Sequence, residues 1–289
     1  MFRSTQARSG NAISRPMFTV LIMLLAALLF TSLAACTPRA SGQLPGDPVS
    51  PVPSKDTVTV NLYFADDQAM EVLPERREVE VASDPSQRQP MEELVVTELL
   101  KGPKDPLLRK TFPADTNLIS VQVTDGLALA NFSKELVSKH GGGSTGEMMT
   151  ILSLVNSLTE LSNVQKVQIL VEGRKIDTLA GHADVSEPLG RAIRQGDFFV
   201  SEERSKVLQE RVDSGQEVWR KDPLEVAKRE APARGFLPNL EYKLAPTQGY
   251  TSVQVDYGKT YVITLYQPDK QGEDGIWVIR TISPVGEYR

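Results

Sequence analysis

The stretch Gly141–Gly173, GGGSTGEMMTILSLVNSLTELSNVQKVQILVEG, decides the fold of this chain. Ser144 has Glu147 three positions on, the spacing of a capping box, in which a hydroxyl and a carboxylate each satisfy a free amide where a helix starts. Met148, Ile151, Leu152, Val155, Leu158 and Leu161 then recur at spacings of three and four. That spacing puts them on one face of a helix and turns Asn156, Thr159 and Glu160 away from it. Ser162-Asn163 break the helix, and Val164, Val167, Ile169 and Val171 predict a β-strand. Its inward set is Val167, Ile169 and Val171, with Gln168 and Glu172 at or near the opposite face. Glu172-Gly173 closes it as a turn. One amphipathic helix feeding directly into one alternating strand predicts an α+β fold in which the helix covers a sheet.

Upstream, Val58, Val60, Leu62 and Phe64 alternate with polar neighbours as in a half-buried strand, and Ala65-Asp66-Asp67 turns the chain. Arg77–Val81 predicts a second strand. After Pro90, Met91, Leu94, Val95, Leu99 and Leu100 keep helical spacing until Gly102-Pro103 stops them. Leu118–Thr124 and Leu127–Phe132 flank Asp125-Gly126, a dipeptide suited to the left-handed backbone of a tight hairpin. A short helix around Glu135–Lys139 leads into the opening stretch, and Arg174–Asp177 with Leu179 adds a short closing strand. The expectation for 57–189 is one domain of about five strands under a long helix.

The Gly-led helix bearing Glu147, its Leu158-Thr159-Glu160-Leu161 end and the following V-x-x-V-x-I-L-V-E-G strand resemble the GerMN domain. That family takes its name from a spore-germination and sporulation protein. The resemblance runs in the same element order from about Thr57 to Pro188. It implies an α+β fold and a non-enzymatic module that binds or assembles in the cell envelope, linked to sporulation or germination.

Of the 289 residues, 40% are apolar and 24% charged, as in a soluble globular protein apart from one segment. Arg3, Arg8 and Arg15 precede an uncharged apolar run, Met17–Phe30, and small residues follow, so 1–35 reads as an export signal rather than a membrane anchor. Leu33-Ala34-Ala35-Cys36 resembles the bacterial lipobox, which makes Cys36 the lipidated first residue of a palmitate-bearing lipoprotein on the extracytoplasmic face of the cell membrane. Cys36 is the only cysteine, so lipidation leaves no thiol for a disulfide, a metal or catalysis. Residues 36–56, with Pro38, Pro45, Pro48, Pro51 and Pro53, form a semi-extended tether. Loss of the three signal arginines takes the formal charge from −5 to −8, which argues against nucleic acid as a partner.

Residues 57–189 hold 12 basic and 20 acidic side chains, whereas 190–289 hold 15 of each, as expected of two domains. In the second, Ser201–Ser214 predicts a short helix and Asp222-Pro223 opens another. Tyr250–Val255, Thr260–Gln267 and Ile276–Ile282 predict strands, making 190–289 a small, mainly antiparallel α+β domain. It shows no repeat of the first.

Candidates for chemistry are sparse. A Ser144–His140 dyad can be drawn, but helix capping and a helix end account for both residues. His182 with Asp184 supplies two metal ligands without a third. Gly141-Gly142-Gly143-Ser144 lacks the lysine of a phosphate loop, and Asp66-Asp67 lacks the spacing of a calcium loop. No catalytic residue, metal site or cofactor is therefore expected. Phe198, Phe199 and Trp219 lie near the domain junction, either filling the seam or forming an interaction surface; Trp277, at an alternating strand position, is expected in the core. The reading is a lipid-anchored envelope module with a protein partner, engaged through a sheet edge or the junction. The alternative is a binder of cell-wall fragments, with an aromatic-lined pocket at the junction.

Overall fold

Strand β1 (Lys55–Asp66) opens the computed structural model, which describes residues 55–245 and 250–286. The predicted signal, Cys36 and the tether up to residue 54 lie outside the described residues; the last two residues of the predicted tether, Lys55 and Asp56, belong to β1, where they pair with Ala82 and Val81. β1 pairs antiparallel with β2 (Val72–Ala82) along its length. The turn between them is held by Asp66, whose Oδ1 accepts from the Met70 and Glu71 amides at 2.7 and 3.2 Å. β2 starts five residues before the predicted Arg77, because Val72 and Leu73 are buried and their side chains draw the strand inward. The two-residue β3 (Leu108–Arg109) takes the other side of β1, giving the order β2-β1-β3.

Helix α1 (Met91–Lys101) ends where Gly102 adopts φ +89°, as the Gly-Pro stop predicts. β4 (Leu118–Thr124) and β5 (Leu127–Phe132) form the predicted hairpin, with Asp125 and Gly126 at φ +50° and +80°. Helices α2 (Glu135–Ser138) and α3 (Gly143–Leu158) then carry the chain to β6 (Lys166–Val171), which lies parallel to β5. Glu172 and Gly173, at φ +49° and +76°, turn β6 into β7 (Arg174–Lys175). The second sheet has the order β4-β5-β6-β7. The strands thus divide between two sheets, where a single one was expected. Apolar faces of both sheets, α1 and α3 share one core containing Leu62, Phe64, Leu99, Phe132, Leu154 and Ile169. Full burial of each such side chain contributes roughly 1.5–3 kcal/mol.

α3 departs from its amphipathic reading. It begins at Gly143 with no side-chain cap, Ser144 is exposed, and Glu147 is completely buried, so no capping box forms. Met148, placed on the inward face by its spacing, is 44% exposed. Asn156 and Thr159 are buried, as is Gln168 on β6. These polar residues were expected to face away from the apolar core, and they do; other protein groups cover them instead of water.

The cover for α3 is the rest of the chain. Helices α4 (Glu202–Asp213) and α5 (Pro223–Glu230) start at Ser201 and Asp222, whose side chains accept from amides of the first turn. β8 (Gly196–Asp197), β9 (Tyr242–Ala245), β10 (Thr251–Tyr257), β11 (Lys259–Tyr266) and β12 (Val278–Pro284) form an antiparallel sheet ordered β8-β12-β11-β10-β9. Its core joins Val226, Phe236, Val253, Ile263 and Ile282, with Trp277 partly buried against it. The architecture is α+β throughout. A third cluster, Tyr63, Ala65, Val72, Met149 and Ala233, ties this sheet's segment to β1, β2 and α3, and Pro53–Arg289 is one compact unit.

Candidate functional site

The seam between 57–189 and 190–289 is made largely by arginines of the second segment reaching acceptors on the first. Arg191 donates to the Asn156 carbonyl at 2.6 Å and to Glu160 Oε1 at 2.7 Å, and its Nε reaches Thr159 Oγ1 at 2.7 Å. Arg211 holds Asp105 with two bonds of 2.7 and 2.6 Å. Arg234 meets Glu71 at 2.8 Å, and Arg194 donates to the Met70 carbonyl at 3.0 Å. Asn156 returns one bond, to the Ala233 carbonyl at 3.0 Å. Guanidinium suits this role because its planar fork offers five donors that lose little freedom per bond formed.

Burial shapes the electrostatics here. It raises the Glu71 carboxyl above its usual range, against the lowering pull of Arg234. At Glu230, burial pushes the same way but is outweighed by Arg220 and Arg234, so that carboxyl is held low. The Tyr63 hydroxyl, which donates to Glu160 Oε1 at 2.7 Å, is raised well above its ordinary value, chiefly by burial.

Where the forks stop, a cleft of about 770 Å³ opens between the β1–β2 hairpin and the α4–α5 segment. Leu73, Leu108, Leu208 and Trp219 supply apolar wall, and six cations, Arg76 and Arg204 among them, line it with six carboxylates. Each carboxylate is already ion-paired: Glu75 with Arg77, Glu160 with Arg191, Asp105 with Arg211, Glu217 and Glu230 with Arg220, and Glu225 with Lys228. Trp219 stands under two guanidinium groups, Arg220 and Arg229, at 4.3 and 4.9 Å from its ring centroid. The predicted aromatic trio is thereby dispersed. Trp219 lines the cleft; Phe198 is buried under Arg194 and Arg234; Phe199, its neighbour, is 76% exposed. Sequence reasoning missed Arg204 and Arg76, because single arginines without a motif give no signal until the fold places them on one cleft.

The histidines occupy another region. His140 Nε2 lies 3.0 Å from Thr150 Oγ1, which also donates to the Thr111 carbonyl, and Ser144 takes no part. Burial lowers the His140 pKa, against the raising effect of Glu147. Glu147 receives the His182 ring nitrogen at 2.6 Å and the Ala183 amide at 2.9 Å. Burial alone would raise its pKa; hydrogen bonds from the Ala183, Ala180 and His182 amides and the His182 ring hold it at about 2. This carboxylate therefore pins the 180–183 loop onto α3. Asp184 instead accepts from Ser186, and among the described residues no three His, Cys, Asp or Glu side chains come close enough to hold a metal.

A further surface is the outer edge of β4, an end strand of its sheet. Its sequence, Leu-Ile-Ser-Val-Gln-Val-Thr, carries no charge and no proline, and Ile119 is 50% exposed. The other long edge, β2, is interrupted by Pro74, Glu75, Arg76, Glu78 and Glu80. Charges and proline are the usual protection against strand pairing, and β4 lacks both.

A helix-covered sheet with a parallel β5–β6 pair gives residues 57–189 an α+β arrangement within the single compact unit that also holds 190–286. Residues 61–177 match the family described as Germane, sporulation and spore germination, and this stretch of the chain is similar to that family. Among solved structures, a Clostridium perfringens protein designated a lipoprotein shares 25% identity over 47% of this chain and 88% of its own, with a TM-score of 0.33. The tandem GerMN domains of the sporulation protein GerM from Bacillus subtilis share 21% identity over 47% of this chain, with a TM-score of 0.37; this chain spans 46% of that protein. The first GerMN domain alone gives 21% identity and a TM-score of 0.37, over 46% of this chain and 98% of its own. No curated protein matches. No helix among the described residues is long and apolar enough to cross a membrane.

Proposed function

We propose that this chain is a non-enzymatic lipoprotein of the cell envelope, anchored through Cys36 on the extracytoplasmic face, that serves sporulation or germination by binding an envelope protein. Residues 57–189 are the GerMN-type binding domain in this reading, and 190–289 a second domain that buttresses it. The observation that carries the reading is the β4 edge: seven residues, uncharged, free of proline and unpaired on one side among the described residues. A partner strand can add there by main-chain hydrogen bonds, with Ile119 as an apolar anchor. The acidic chain fits no role on nucleic acid, and the reading needs no cofactor.

The test compares partner capture from envelope extract by the wild-type chain and by an Ile119→Lys/Gln122→Lys variant. Both positions are exposed, so the fold should survive, while lysine on the edge opposes pairing. A partner held by the wild type and lost by the variant supports the reading. Equal capture by both, or by neither, refutes it. Labelling with a palmitate analogue, lost in Cys36→Ser, tests the anchor.

A second reading, an extracytoplasmic binder of cell-wall fragments, is favoured by a separate observation. The junction holds an open cleft lined by Trp219 and by charged side chains of both signs.

A further inference from the structure

The junction cleft contains a cation that no described carboxylate pairs. Arg204, on α4, lines the cleft with only 9% of its surface accessible. Its Nη1 donates to the Leu107 carbonyl at 3.3 Å, a long bond to a neutral acceptor, and no described carboxylate is within ion-pair distance. The acids around it are committed elsewhere. Glu230 is held by Arg220 at 2.7 Å, Glu71 by Arg234 at 2.8 Å, and Asp105 by Arg211 at 2.6 Å. Taking a charge out of water with no charged partner costs several kcal/mol, so an unpaired guanidinium beside an open cavity is poised for an anion from outside. Arg76, exposed on β2, lines the same cleft and also has no ion-pair partner among the described residues.

Charge matching selects the anion. One guanidinium fork meets one carboxylate with two parallel bonds and cancels its single charge. A compact phosphate dianion would place both its charges on Arg204, the buried cation, and leave Arg76, at the exposed side, without a partner. Leu73, Leu108 and Leu208 offer apolar cover for the body of such a ligand.

The geometry points to a binding site for a carboxylate-bearing ligand with a short apolar body. Arg204 takes the carboxylate, Arg76 a second acid group at the exposed side, and the three leucines cover the chain between. This inference rests on the ligand-binding reading above and names its ligand class.

Calorimetric titration of the full chain tests it with three probes: succinyl-Ala-Ala-Ala, acidic at both ends; acetyl-Ala-Ala-Ala-amide, with no carboxylate; and inorganic phosphate. The diacid should bind with a dissociation constant of about 1 mM or tighter. The amide and phosphate should each bind at least about tenfold more weakly, as expected when a buried charge loses its counter-charge. Arg204→Gln should abolish binding of the diacid. Arg76→Gln, at an exposed position, should weaken it by about threefold to tenfold with an unchanged melting temperature, which keeps the test valid if Arg204→Gln lowers stability. The site is refuted if the diacid does not bind at about 20 mM, if the amide or phosphate binds equally well, or if both variants bind like the wild type. Such a failure removes the ligand and leaves the β4 reading intact, because that reading is scored by partner capture.

Discussion

Arg191 offers the sharpest test of how the two segments are joined. Its side chain is 2% exposed and its donors are saturated: Thr159 and Asn156 at the end of α3, Glu160 beyond it, and the Pro232 and Phe236 carbonyls at 2.6 and 3.0 Å. It also lies over the Tyr63 ring at 5.5 Å. Each charge-assisted bond contributes about 1.5–3 kcal/mol, but they share one cation and cannot be summed. Breaking a buried pair by removing one partner costs about 3–5 kcal/mol, so Arg191→Ala should lose about 4 kcal/mol. At about 2–4 °C per kcal/mol for a unit of this size, the melting temperature should fall by about 8–16 °C. Arg191→Lys keeps the charge but loses the fork, and should cost about half as much. Both tryptophans, Trp219 and Trp277, lie in the second segment. Urea unfolding followed by their fluorescence and by far-UV circular dichroism therefore separates that segment from the whole. The transitions should coincide in the wild type and part in Arg191→Ala. A loss below about 1 kcal/mol with transitions still coincident would refute the reasoning.

Two further predictions concern the helix anchor and a close backbone approach. The Glu147 carboxyl is held at about 2 in the fold, below its ordinary 4.5. Its contribution is therefore complete above about pH 4.5 and lost as pH falls toward 2. The stability gap between wild type and Glu147→Gln should be about 2 kcal/mol at pH 7 and shrink below pH 4.5; a gap independent of pH counts against the anchor. Gly235 has φ +97°, and a Cβ there would meet the Ala192 carbonyl oxygen at 2.1 Å, whereas Gly215 has φ +85° and open space around it. Gly215→Ala should cost about 1 kcal/mol, from backbone conformation alone, and Gly235→Ala about 2–4 kcal/mol, from strain and clash together. Equal losses by chemical denaturation would show that the approach to Ala192 carries no weight.

What the sequence made legible was the part of the fold set by neighbours along the chain. Asp125-Gly126, Glu172-Gly173, the Gly102-Pro103 stop and the caps at Ser201 and Asp222 act within a few residues, and each appears where the local chemistry puts it. The helix α3 and strand β6 followed from their periods. The capping box failed because the same spacing serves two ends: Glu147 could bond the helix start, but the 180–183 loop offers it three amides and a ring nitrogen. The polar face of α3 misled for a related reason. Periodicity tells that Asn156, Thr159 and Glu160 avoid the apolar core; it does not tell whether water or an arginine meets them. A usable clue was present in the charge count, since the acidic excess of 57–189 faces a segment rich in arginine. The cleft had no such clue, because Arg76 and Arg204 meet only through the tertiary fold.

That the seam is built from guanidinium forks has a consequence for the cleft beside it. The two main cores close on their own apolar residues, with only small mixed clusters such as Tyr63, Met149 and Ala233 spanning the join. An apolar seam would tolerate sliding, since burial depends on area and little on direction. Arg191, Arg211 and Arg234 do not: each has its acceptors at fixed positions on the facing segment, and a shift of an ångström strands a buried charge. Their net contribution to stability is therefore smaller than their number suggests, while their contribution to geometry is large. A cleft walled by β2 on one side and α4 on the other can hold Arg204 and Arg76 at a constant separation only if those walls do not slide. The arginine seam supplies that constancy, and a ligand that needs two cations at a set spacing is the kind of ligand such a seam would serve.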